Sequence, residues 1–251
     1  QGSNPGGCFH PIDRQVSALK FTRILVQDIR YQMRYGFYLL YAFVSLIYIG
    51  ILRLIPVTAR TEVATLIILS DPALLGFFFI GGIWLLEQGE GLHRYWSVLP
   101  AKPYAYIGAK LLSLGFISTL SGLLIIGISG VGGINYPLLV VTLLLSAGIF
   151  TLAGLVLATM ARTVNHYLVL TIPVEIGILL PPLLLLCGLH HPLLLLFPGT
   201  QGLAALRFAL GLERKMELGL ILAGLLFWLG IAFGWAYLRV PMALREGGNG
   251  S

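Results

Sequence analysis

The chain has 251 residues, of which 57% are hydrophobic and 10% charged, with a formal charge of +6; a soluble domain carries roughly a quarter charged residues. Too little polar surface remains to coat a globule, and long apolar runs without period-two alternation exclude a barrel, so the expected class is an all-α integral membrane protein. The basic residues are scattered among loops and never interleave with aromatics, which excludes nucleic acid as a partner, and Cys8 and Cys187 lie far apart in no metal or redox spacing.

Residues 1–15 are rich in Gly, Pro and polar side chains without the pattern of a signal peptide, and read as a disordered or foreign leader before a start near Val16. From Val16 to Tyr35 the chain is amphipathic. Lys20, Arg23, Gln27, Arg30 and Arg34 recur at steps of three and four on one face, and Ala18, Phe21, Leu25, Ile29 and Met33 share the other. That pattern predicts either an interfacial helix, apolar stripe in the headgroup boundary and basic face towards anionic lipid, or a cytosolic extension of the first span.

A span needs about 20 apolar residues, and six runs qualify: Gly36 to Pro56, Ala64 to Leu86, Tyr106 to Gly130, Tyr136 to Met160, Tyr167 to Cys187 and Leu218 to Tyr237. Phe37, Tyr38 and Tyr41 suit an interface at the start of the first span, and Lys110 stands close enough to the end of the third to snorkel. Between His190 and Leu212, Pro192, Pro198, Gly199 and Gly202 interrupt the apolar stretch and predict an outer re-entrant hairpin between the fifth and sixth spans. Residues 16–246 thus form one transmembrane domain, and residues 247–251 a short tail. A cytoplasmic N-terminus puts eleven Lys and Arg residues inside and five outside, which places both termini in the cytoplasm of a cell whose plasma or inner membrane holds the protein.

The chain contains no G-x-x-x-x-G-K-[ST] run, so any ATP must be hydrolysed by a partner, and it has no paired nucleophile and base: a transport subunit rather than an enzyme is expected. His190 and His191 have no carboxylate cluster to complete a metal site, and no cofactor is expected on this chain. The connection after the second span, with Glu87, Glu90, Gly91, His93, Arg94, Tyr95 and Trp96, mixes charges with aromatics; it suits either a docking helix or an ordinary aromatic belt with loop charges. Glu175 lies eight residues beyond Tyr167, about 12 Å into the bilayer, where an ionisable group marks either a functional site or a protonated structural carboxyl beside Pro173. Asp71, just before Pro72, either caps a helix starting there or touches substrate; Glu175 and Asp71 are therefore candidates for a translocation pathway.

The order of these elements, with Glu90-Gly91-Leu92, then Leu99-Pro100, Pro103 and Lys110, resembles the permease subunits of ABC-2-type transporters over Val16 to Arg245. Tyr35-Gly-Phe-Tyr38, Ser70-Asp71-Pro72, Gly76 to Gly82 and Ala161 to Asn165 look most like permeases of the fluoroquinolone-export type. The resemblance implies an exporter of amphipathic small molecules working by alternating access. Its partners would be a second permease copy, identical or paralogous, and separate ATPase subunits that carry ATP and magnesium and are coupled through the loop after the second span. Gly76, Gly81 and Gly82 offer close helix contact for pairing. An ion-coupled secondary transporter using Glu175 is the alternative; the chain shows no alignable internal repeat, which favours the first reading.

Overall fold

The computed structural model describes residues 11–94, 103–189, 191–213 and 217–249, with side chains from residue 21 onward apart from 72–74 and 246–249. The described residues form helices α1 (Pro11–Arg34), α2 (Phe37–Leu54), α3 (Val57–Gly89), α4 (Pro103–Ser129), α5 (Tyr136–Ala158), α6 (Val164–Leu186), α7 (Pro198–Ala209) and α8 (Leu218–Asn249), with a short 3-10 turn at Pro192–Leu196. Six of them, α2 to α6 and α8, are long and apolar enough to cross a membrane, and they are the six predicted spans. Of the residues assigned to the leader, 11–15 are helical and belong to α1; residues 1–10 lie outside the described ones.

Helix starts follow local chemistry. The Asn135 side chain accepts from the Leu138 amide at 3.2 Å and Pro137 opens α5, while Thr163 accepts from the His166 amide at 3.2 Å to begin α6. The expectation of a helix start at Pro72 fails: α3 runs unbroken from Val57, so Asp71 lies mid-helix and is not an N-cap. Proline lacks an amide proton and costs one helical hydrogen bond, a loss that helices in membrane bundles tolerate.

Helix α5 is the hub, touching α3, α4, α6, α7 and α8. Water-driven burial is weak between helices in lipid, so close steric fit must hold them together. One close fit involves Tyr167 of α6, which is buried; its hydroxyl donates to the Phe77 carbonyl of α3 at 2.5 Å and lies against Gly154 of α5. A Cβ at Gly81 would come within 2.1 Å of the Tyr167 ring, so glycine lets α3 and α6 approach this closely. A Cβ at Gly76 would meet Thr151 and Phe150, and one at Gly82 would meet Phe37. Gly81 is thus spent on a contact within the chain, while the contacts a Cβ would make at Gly76 and Gly82 are ordinary ones. Outward faces of α2, α6 and α8 carry exposed Leu39, Phe43, Val169, Ile172, Phe227 and Trp235, the pattern of a surface solvated by lipid rather than water.

After α6 the chain folds back through the 3-10 turn into α7. Gly199 at the start of α7 packs against the backbone of Ile178, Trp228 Nε1 donates to the Leu196 carbonyl at 2.8 Å, and the Asn135 amide donates to Ala209 at 2.8 Å. This compact hairpin is wedged among α5, α6 and α8.

Candidate functional site

Buried charged residues gather where α1, α3 and α4 meet. Lys110 is 2% exposed, and its ammonium lies between Asp28 of α1 and Glu87 of α3, paired with both. The second oxygen of Glu87 accepts from the Tyr106 hydroxyl at 2.6 Å, and that of Asp28 accepts from Gln32 at 2.8 Å and from Ser113. Gln32 also donates to Ser113 at 2.7 Å. Every carboxylate oxygen has a partner, which is the condition for burying such charges. Lys110 therefore does not snorkel: two carboxylates inside the bundle hold its ammonium there.

The cluster changes the reading of α1. Its inward arc holds Phe21, packed over Gly108 of α4, together with buried Asp28 and Gln32, while Met33, assigned to the apolar stripe, is exposed. Protein encloses Asp28 and Gln32 on this arc, while Phe21, Leu25 and Ile29 are half-buried. Arg23, Arg30 and Arg34 are exposed on the far side, and the Lys20 side chain lies outside the described residues.

One turn beyond Glu87, α3 ends at Gly89 and the chain turns at Glu90 and Gly91, where Gly91 takes the left-handed conformation (φ 73°) that glycine adopts freely. Glu90 is exposed and accepts from the Tyr35 hydroxyl at the α1–α2 junction. Leu92 to Arg94 are helical, with Arg94 exposed, whereas Tyr95 and Trp96 lie outside the described residues. Glu87 is thus turned into the bundle, while Glu90 and Arg94 face outward. A cavity of about 360 Å³, walled by Gln27, Tyr31, Leu92 and the cluster, separates the turn from α1.

His93 is buried, its ring 4.2 Å from that of Trp84. Burial, and then the Lys110 ammonium, push its pKa down to about 4. Burial and the Glu90 and Glu87 carboxylates push the Tyr31 hydroxyl well above the usual tyrosine range. Because the folded pKa of His93 lies below its ordinary value, its neutral form stabilises the fold fully above about pH 6.5, and that contribution fades as pH falls towards 4. Thermal melting of the purified protein should show a loss of about 2 kcal/mol between pH 8 and pH 5 that is absent in His93→Phe. Equal pH slopes for the two proteins would contradict this.

Asp71 and Glu175 are not brought together. Asp71 is 2% exposed; one of its oxygens accepts from Ser121 of α4 at 3.5 Å, and Ser121 in turn pairs with Ser45 of α2 at 2.7 Å. Its other oxygen has no partner among the described residues. Glu175 stands on the outer side of α6 in a shallow cleft of about 250 Å³ with Ile172, Ile176 and Leu179, and its Oε1 also lacks a partner.

Among the described residues no His, Cys, Asp and Glu group could hold a metal ion. Sequence reasoning missed the cluster itself. Its signal was present: Asp28 and Gln32 fall on the same helical arc as Phe21 and Leu25, where polar residues require internal partners.

The described residues thus form a helical bundle with six helices long and apolar enough to cross a membrane, the class of an integral membrane protein. The family model for the fluoroquinolones export permease protein family matches residues 19–233. Two proteins named fluoroquinolones export permease protein, from the CDC 1551 / Oshkosh and H37Rv strains of Mycobacterium tuberculosis, are each 31% identical over 179 residues, covering 70% of this chain and 74% of theirs. The chain belongs to the fluoroquinolones export permease family, whose members are ABC-2-type permeases.

Proposed function

We propose that this permease is the membrane half of an ATP-driven exporter of amphipathic small molecules, of the class its relatives are named for. A separate ATPase, holding ATP and magnesium, docks on the connection from Glu90 to Lys102, and two permease copies work by alternating access. Both termini face the cytoplasm of the cell that exports. The observation that carries this reading is the Asp28–Lys110–Glu87 cluster. It ties α1, α3 and α4 together one turn from Glu90 and Gly91, so a push on that turn moves three helices as one body instead of bending a loop. The exposed basic face of α1, Arg23, Arg30 and Arg34, suits anionic lipid headgroups or an acidic face of the ATPase.

Copurification with a candidate ATPase from the same organism, followed by ATP-dependent fluoroquinolone uptake into inverted vesicles, tests this. Expected are drug-stimulated hydrolysis and uptake that needs hydrolysable ATP but survives a protonophore. Uptake that collapses with the protonophore and ignores ATP would favour the second reading, an ion-coupled carrier using Glu175, whose unpartnered oxygen on an apolar face is the observation in its favour. If instead Glu175 recognises cargo from within the exporter, Glu175→Gln should slow export of cationic compounds selectively, by several-fold, while ATP coupling persists. Equal transport of cationic and neutral compounds by a well-expressed variant would reject recognition.

A further inference from the structure

A cavity of about 720 Å³ lies away from the ionic cluster, where the end of α6, the 3-10 turn, α7 and the first turns of α3 converge. Along α3, Glu62 at this cavity and Glu87 in the cluster are 25 residues apart, or roughly 37 Å. The two sites therefore occupy opposite ends of the bundle. Leu185, Leu186, Leu195 and Ala204 give the cavity apolar walls, and its polar groups are Glu62, Arg207, Glu213 and His191.

These polar groups have a defined chemistry. Arg207 Nη1 donates to Glu62 at 2.6 Å, while its Nε reaches Glu213 only at 3.4 Å, and Nη2 has no partner among the described residues. His191 Nδ1 accepts from the Leu193 amide at 3.3 Å, which leaves the ring proton on Nε2 as a second donor. One guanidinium facing two carboxylates carries a net negative charge, yet offers an unused N–H fork. A simple anion meets two carboxylates here, and a simple cation meets the guanidinium. A molecule carrying both charges satisfies each side: its anionic oxygens take Arg207 Nη2, and its ammonium takes over Glu213, whose contact with Arg207 is the longer one and gives way first. The apolar walls suit a flat or chain-like body between the charged groups.

We propose that this cavity is a binding site for zwitterionic amphipathic molecules, with Arg207 receiving the anionic group and Glu213 the ammonium. It deepens the export reading, on which its role as the exit-side station for cargo rests. The chemistry is shared by a fluoroquinolone zwitterion and by the headgroup of phosphatidylethanolamine.

The test uses the full chain in nanodiscs of phosphatidylglycerol and follows the intrinsic fluorescence of norfloxacin, which carries a carboxylate and a piperazine ammonium. Saturable binding is expected, weakened roughly tenfold or more in Arg207→Gln and Glu213→Gln. The methyl ester and the N-acetyl derivative, each lacking one charge, should lose affinity to a similar degree. Leu195→Trp narrows the cavity without touching a charge and should also weaken binding, so the outcome does not depend on one variant folding; thermal melting verifies each fold. Unchanged affinity in folded Arg207→Gln and Leu195→Trp, or derivatives binding as tightly as norfloxacin, would overturn the proposal. Competition by added phosphatidylethanolamine supports the site and identifies lipid as an occupant; binding without such competition supports it with the small molecule alone. If the wild-type complex binds norfloxacin at this cavity but exports none, the export reading fails and the site stands. If it exports norfloxacin while the cavity variants bind and export as before, the site fails and the export reading stands.

Discussion

Lys110→Met should cost about 3–5 kcal/mol of stability, the range for stripping one partner from a buried ionic cluster. The methionine keeps most of the side-chain length, so the loss is electrostatic rather than a cavity. Asp28 and Glu87, 7% and 5% exposed, would then face each other without the ammonium between them, and one or both would have to take up a proton. Thermal melting in detergent, with folded yield from membranes, measures the effect. Adding Asp28→Asn and Glu87→Gln to Lys110→Met should recover most of the loss, because neutral amides keep hydrogen bonds to Ser113 and Tyr106 and leave no uncompensated charge. A single Lys110→Met variant melting with the wild type would show that the ion pairs do not hold α1 to α3 and α4.

Gly81→Val should cost about 3 kcal/mol or more. The valine side chain must enter space held by the Tyr167 ring, and that ring has nowhere to go. Its hydroxyl is hooked to the Phe77 carbonyl and pressed against Gly154, so α3, α5 and α6 would all have to separate. In a double-substitution cycle, Gly81→Ala with Tyr167→Leu should lose less than the sum of the single losses, because the shorter side chain vacates the ring position. Strict additivity of the melting shifts would mean that the two residues do not compete for the same volume.

Much of the fold was legible from composition and run length. Lipid leaves a backbone no solvent for its polar groups, so every apolar run of span length must close its hydrogen bonds as a helix; Phe37–Leu54 and Tyr136–Ala158 lie within a few residues of their expected bounds. The resemblance carried by Tyr35-Gly-Phe-Tyr38 and the Gly76 to Gly82 stretch led to the right family for the same reason: chains that share a packing problem keep similar spacing of small and large residues.

What the order of residues did not reveal is which polar groups meet. Lys110 looked like a snorkelling lysine and Glu87 a loop charge, and Asp28 belonged to neither stripe read on the amphipathic helix. Their 82- and 23-residue separations from Lys110 vanish only when α1 and α3 pack beside α4. Likewise Asp71 read as a cap because Asp-Pro is a local signal, yet α3 continues unbroken through it. Local rules act over one or two turns, and a sequence shows them directly. Burial and charge pairing depend on distances between elements, so for Lys110, Tyr167 and Arg207 only the tertiary structure decided what each residue does.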